Sequence, residues 1–71
     1  MQELLKQVNA DIAEVTKKIK VLRSRRTRAK TTSKYYNIDR EILGFEAMLS
    51  DLRSTKAEIE DYIKTRSEDN A

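Results

Sequence analysis

One stretch of the chain, residues 17–34, carries nine positive charges and no negative charge. Its sequence is KKIKVLRSRRTRAKTTSK, so hydroxyl side chains are interspersed among the lysines and arginines. Lysine, arginine and hydroxyl groups are side chains that contact the phosphate oxygens of nucleic acids. The chemistry that these residue types could perform is the binding of a polyanion, provided that enough of the charges are free to do it.

The rest of the composition speaks against other chemistry. The chain has no histidine and no cysteine, which removes the usual general base, all thiol chemistry and the commonest transition-metal ligands. Gly44 is the only glycine, so there is no glycine-rich phosphate loop. Acidic neighbours such as Glu58 and Asp61 are better explained as ordinary helix-surface acids, with Glu60–Lys64 and Asp61–Lys64 as local pairs. We therefore expect no catalytic activity, no metal site, no cofactor and no small-molecule substrate.

Length and hydropathy indicate the class of protein. A chain of 71 residues forms one domain, and a composition with 38% charged residues and no proline is typical of long helices. No run of 18 apolar residues is present, and residues 1–12 lack the continuous apolar segment of a signal peptide. We expect a cytoplasmic or otherwise intracellular protein that makes no contact with a membrane.

Two apolar heptad patterns predict two long helices. Apolar residues recur at alternating steps of three and four from Leu5 to Leu22, and again from Ile38 to Leu52. The two patterns differ in phase by two residues, which no single insertion of three or four residues explains. A chain reversal does explain the offset. The seam residues would be Leu5, Val8, Ile12, Val15, Ile19, Leu22, Ala29, Ile38, Ile42, Phe45, Leu49, Leu52, Ile59 and Ile63.

The sequence thus predicts an all-α fold, an antiparallel two-helix coiled-coil hairpin. In the register that pairs the two stripes, facing residues such as Leu22 and Leu49 have numbers that sum to 71. The centre of the turn then falls between Tyr35 and Tyr36, and Asn37 is the expected N-cap of the second helix. The predicted bounds, good to a few residues, are helix 2–32, turn 33–37 and helix 38–66, with residues 1–66 as one domain and 67–71 as a disordered polar tail.

Heptad positions divide the basic run into two groups. The first group has a role inside the hairpin: Arg23 and Lys30 occupy e positions on either side of Glu46 in the facing helix, where they can form ion pairs. Arg26 occupies an a position in the seam, opposite Phe45, and could stack its guanidinium group on that ring. For these residues a structural role explains the charge.

The second group lies at b, c and f positions, which point away from the other helix. We expect these residues to contact phosphates. Arg23 and Arg25 could join them if their acidic partners released them; the partner of Arg25 would be the nearby Glu41. A solvated face and an acidic protein partner are the alternatives. Base readout is not predicted, because leucine-zipper proteins place the basic region before the heptads and this chain places it after them. The predicted phosphate-binding residues are Lys17, Lys20, Arg23, Ser24, Arg25, Thr27, Arg28, Thr31 and Lys34.

The narrow seam favours a protein partner. A lone two-helix hairpin buries few side chains, and several apolar residues lie outside the strict seam. We expect them to dock a second hairpin, which would give a four-helix bundle, or a larger protein; a broader intramolecular contact is the alternative. The alternative function is therefore a protein–protein interaction module, such as an inhibitor, adaptor or assembly subunit. The predicted interface residues are Leu4, Leu43, Met48 and Tyr62.

Overall fold

The computed structural model describes the backbone of residues 2–69 and the side chains of residues 2–66. It consists of two helices packed side by side, α1 (Gln2–Thr27) and α2 (Thr32–Asp69). At about 1.5 Å per residue α2 is about 57 Å long, which accounts for the 59 Å length of the molecule. The other two dimensions, 14 and 13 Å, are those of two adjacent helices. The predicted all-α helical hairpin is confirmed.

The seam between the helices consists of the predicted residues. Ile42 is 1% exposed and forms a buried cluster with Val15, Ile19 and Leu22. Four partly buried residues of α2 surround the cluster at the predicted a and d positions. The residues that surround the cluster are Ile38, Phe45, Leu49 and Leu52.

Within the described residues, neither helix has a stretch that is long and apolar enough to cross a membrane.

The turn occupies residues 28–31, so the predicted turn at 33–37 is wrong. Helix α1 ends at Thr27, where the amide of Arg28 donates to the carbonyl of Arg25 at 3.1 Å and tightens the last turn. Local propensity does not locate this end, because the residues that follow it, such as Ala29, favour a helix. The predicted first helix, 2–32, is therefore too long by five residues at its end.

Thr31 is the N-cap of α2. The amide of Lys34 donates to Thr31 Oγ1 at 3.2 Å, and the amide of Tyr35 donates to the Thr31 carbonyl at 3.0 Å. These two bonds define the first helical turn. Asn37 is therefore inside α2, and its prediction as N-cap is wrong. Asparagine is on average the stronger N-cap, but threonine is also a common one, and the average preference selected the wrong residue here.

The early start of α2 changes the register and the far end of the hairpin. Arg26, next to last in α1, binds Asp39, and Arg23 binds Glu46, so the two pairs of numbers sum to 65 and 69, both below the predicted 71. The first two turns of α2 therefore extend past the end of α1. At the other end α2 continues to Asp69, beyond the predicted bound of 66, because no proline or glycine stops it. Of the predicted tail, 67–71, the last two residues lie outside the described residues.

The capping assignment can be tested by a pair of alanine substitutions. We expect Thr31→Ala to lower the free energy of unfolding by about 1 kcal/mol, because α2 loses its N-cap hydrogen bond. Asn37→Ala should be neutral or stabilising by up to about 0.5 kcal/mol, because alanine is the better residue inside a helix. Urea unfolding followed by circular dichroism measures both. A larger loss for Asn37→Ala than for Thr31→Ala would contradict the observed turn.

Candidate functional site

The hairpin gathers the basic residues at one end. Residues 17–46, which we call the turn half, hold ten basic and three acidic side chains, a net charge of +7. All other residues form the terminal half, which holds five basic and nine acidic side chains, a net charge of −4. The molecule is therefore a rod whose two ends carry opposite charge.

Most of the basic run is exposed and unpaired. Arg23 binds Glu46, with Nη2 3.0 Å from Oε1, as predicted. The predicted contacts of Lys30 with Glu46 and of Arg25 with Glu41 do not form within the 4.0 Å limit of an ion pair. Six basic side chains of the run have no carboxylate partner in the part of the chain that the structure describes: Lys17, Lys20, Arg25, Arg28, Lys30 and Lys34.

Arg26 has a structural role at the end of the seam. Its Nη1 donates to Asp39 Oδ1 at 2.6 Å, and the two side chains are only 29% and 31% exposed. Its guanidinium carbon lies 5.8 Å from the centroid of the Tyr35 ring. The predicted stacking of Arg26 on Phe45 is wrong, because the shifted register brings Tyr35 beside Arg26 and places the ammonium group of Lys18 over Phe45 instead, at 5.7 Å.

The structure divides the predicted outer row. Arg28 is the first residue of the turn, and its Nε donates to the carbonyl of Ser24 at 3.4 Å, so its side chain folds back along α1. Thr31 and Lys34 do not continue the row, because one caps α2 and the other lies in the first turn of α2. Four exposed residues remain on one face of α1, at steps of three, four and three: Lys17, Lys20, Ser24 and Thr27.

The remaining surface has two flanks, one on each side of the seam. Because a helix places i, i+3 and i+4 on one face, the e and b positions of both helices form one flank and the g and c positions form the other. Each flank contains a groove between α1 and α2, with a volume of about 890 Å³ on the e/b flank and about 700 Å³ on the g/c flank.

The groove on the e/b flank, which we call the basic groove, combines cations with hydroxyl groups. Lys20 and Arg23 of α1 line it together with Arg53 and Glu46 of α2, Glu46 being the ion-pair partner of Arg23, and its apolar floor includes Ile19. Arg53 was not predicted, although its e position facing the e positions of α1 is visible in the heptad pattern. Arg53 has no carboxylate within ion-pair distance among residues 2–66. The hydroxyl groups that line the groove belong to Thr16, Ser50 and Ser54.

The groove on the g/c flank, which we call the apolar groove, has a different character. Val21 and Met48 line it while remaining 47% and 49% exposed. Gly44 lies between them on α2, and a Cβ atom added there would meet no atom within 4 Å. The charged residues at its margins are Lys17, Lys18, Arg25 and Glu41.

The predicted interface residues are all exposed but do not share one flank. Leu4, Met48 and Tyr62 occupy g positions on the flank of the apolar groove and are 49%, 49% and 43% exposed. Tyr62 also accepts a hydrogen bond from Arg66 at 2.7 Å through its hydroxyl group. Leu43, 60% exposed, occupies a b position and lies on the flank of the basic groove.

Fold and surface together define a small all-α hairpin with a basic end and two unlike grooves. A search of protein-family models, curated proteins and solved structures finds no match to this chain. The surface chemistry of the hairpin is therefore the basis for assigning a function.

The two ion pairs between the helices should differ in strength. Arg26–Asp39 is partly buried, whereas the side chains of Arg23–Glu46 are 58% and 42% exposed and more strongly screened by water. In double-mutant cycles with alanine we expect a coupling free energy of about 1 kcal/mol for Arg26–Asp39 and about 0.5 kcal/mol or less for Arg23–Glu46. Denaturant unfolding of the four single and two double variants measures both. Equal coupling energies would mean that Arg26 does not hold the end of the seam.

Proposed function

We propose that the protein is a small non-enzymatic nucleic-acid-binding module, whose turn half contacts phosphate oxygens without reading the base sequence. The observation that carries this proposal is the set of six exposed basic side chains of residues 17–34 that lack a carboxylate partner among the described residues. The other three basic side chains of the run, Lys18, Arg23 and Arg26, each pair with a carboxylate of the hairpin. Unpaired charges gathered at one end leave a positive field available for an external anion.

The spacing of the row on α1 suits a phosphate backbone. From Lys17 to Thr27 the row extends about 15 Å, which corresponds to about four base pairs of a duplex at 3.4 Å per pair. Lys17 and Lys20 supply its positive charges, and Ser24 and Thr27 can contact phosphates through their hydroxyl groups. The basic groove adds the guanidinium group of Arg53 beside Lys20, so cations from both helices contribute to one surface.

Repulsion within the turn half supports the same proposal. Like charges three residues apart on a helix destabilise it by a few tenths of a kcal/mol, and Lys17 and Lys20 have this spacing on α1. A bound polyanion would remove that repulsion by neutralising the charges. The net negative charge of the terminal half would orient the rod, because it is repelled by the phosphates that attract the turn half.

Phosphate contact of this kind does not distinguish DNA from RNA. The exposed aromatic residues of the turn half are Tyr35 and Tyr36, and their rings pack against each other edge to face with centroids 6.0 Å apart. Stacking of a single strand on two such rings would add little specificity. We therefore expect binding that depends mainly on charge and falls with added salt.

The proposal is tested by titrating duplex DNA and RNA with the full chain at two salt concentrations. Four to six phosphate contacts give a slope of log K against log salt of about −4 to −5. Lys20→Glu/Arg28→Glu should weaken binding at least about 10-fold at low salt, because it replaces two attractive contacts by repulsive ones.

The matched control is Lys6→Glu/Lys64→Glu, which changes the net charge by the same amount but in the terminal half. Both control positions are exposed, so both double variants should keep the helicity of the wild type. We expect the control to weaken binding less than about 3-fold. Absence of binding at about 50 mM salt would contradict the proposal. Equal losses in the two variants would show that total charge, and not the turn half, governs binding.

A further inference from the structure

Gly44 has no explanation within the hairpin. It lies inside the 38-residue helix α2, where glycine costs about 0.5–1 kcal/mol relative to alanine. A Cβ atom at this position would meet nothing within 4 Å, so packing against α1 does not require its absence. A missing side chain beside the exposed Val21 and Met48 does allow the backbone of another helix to approach closely.

The charges along the same flank indicate which molecule would approach. On the α1 side, the charge changes along the flank from acidic Glu14 to basic Lys18 and Arg25, which line the groove. Glu14 is 3.5 Å from Lys18 in an exposed ion pair, and Glu41 of α2 is the acidic residue at the margin of the groove. The α1 side of the flank thus changes from negative to positive along the apolar groove. A surface of this kind is complementary to itself after a rotation of 180°. The chemistry that fits it best is a second copy of the chain.

The level of the groove sets the position of the rotation axis. The α1 residues that line the apolar groove run from Lys17 to Arg25, so its level is near Val21. Relative to Val21, Glu14 lies about 10 Å toward the terminal half and Arg25 about 6 Å toward the turn, a difference of about 4 Å that two long side chains can span. A two-fold axis perpendicular to the rods at this level would bring Glu14 of each copy close to Arg25 of the other. A parallel arrangement would instead place the two turn halves, each with a net charge of +7, side by side. Charge therefore favours the antiparallel arrangement.

We propose that the apolar groove is the contact surface for a second copy of this chain, with the two hairpins antiparallel about a two-fold axis and forming a four-helix bundle. Overlap of the flanks along about 45 Å of a rod 14 Å wide buries about 600 Å² per copy. The total of about 1,200 Å² is at the lower limit of specific, stable interfaces. Such a bundle covers Val21 and Met48, while the basic groove on the opposite flank remains free.

Sedimentation equilibrium of the full chain from about 1 to about 100 µM tests the proposal, with a mass of twice 8.3 kDa expected at the upper end. Met48→Glu places a charge in the apolar groove and should weaken the dimer at least about 10-fold. Leu43→Glu is the matched control, because it makes the same kind of change at an exposed position of α2 on the other flank. It should leave dimerisation within about 2-fold of the wild type.

Circular dichroism of both variants checks that they remain helical. A wild-type protein that stays monomeric over the whole range overturns the proposal. So does a dimer that Leu43→Glu weakens as much as Met48→Glu, since the contact would then not lie on the flank of the apolar groove. Neither measurement involves nucleic acid, so this inference and the proposed function can fail separately.

The antiparallel orientation is tested by exchanging charges. Glu14→Arg and Arg25→Glu should each weaken the dimer several-fold, because each leaves two like charges facing one another across the interface. The double variant Glu14→Arg/Arg25→Glu restores opposite charges at both places, and its dissociation constant should return to within about 3-fold of the wild type. If the fold-loss of dimer affinity in the double variant equals the product of the fold-losses in the two single variants, the antiparallel arrangement is overturned.

Discussion

A single apolar seam is the constraint on which the rest of this structure depends. Two helices can bury only the stripe along which they meet, and the buried cluster around Ile42 occupies that stripe. Residues outside the a and d positions therefore lie largely at the surface. The heptad position of a residue decides whether it packs in the seam, lines one of the two grooves or faces solvent. Because charged residues make up 38% of the chain, the chemistry of the protein is the chemistry of its surface.

Within that constraint, the position of the turn determines how the surface charges are arranged. The Thr31 cap begins α2 early, and the contact of Arg26 with Asp39 fixes the end of α1 two turns along α2. Lys34 and Tyr35 are thereby carried onto α2 and away from the basic row on α1. A turn at residues 28–31 also places ten of the fifteen basic residues in one half of the rod, which gives the molecule its polarity.

The seam could be predicted from the sequence, whereas the turn and the grooves could not. Heptad spacing is a local property, and the predicted positions from Val8 to Ile59 include every buried residue of the described chain. A heptad stripe repeats, so it does not define how far one helix is shifted along the other. The turn depended on a choice between Thr31 and Asn37 as cap, and the average capping preference favours asparagine whereas the structure uses the threonine. Arg53 belongs to the basic groove only because the hairpin brings it opposite Lys20, far away in the chain.

The two grooves lie on opposite flanks, so an assembly that covers the apolar groove leaves the basic groove uncovered. A dimer formed through the apolar groove would carry its two basic grooves on outward faces, separated by the thickness of both hairpins. A straight duplex could contact only one of these faces at a time. Dimerisation would then not strengthen binding to one segment by avidity, because simultaneous contact with that segment is excluded by geometry. It would allow one dimer to hold two segments of nucleic acid side by side.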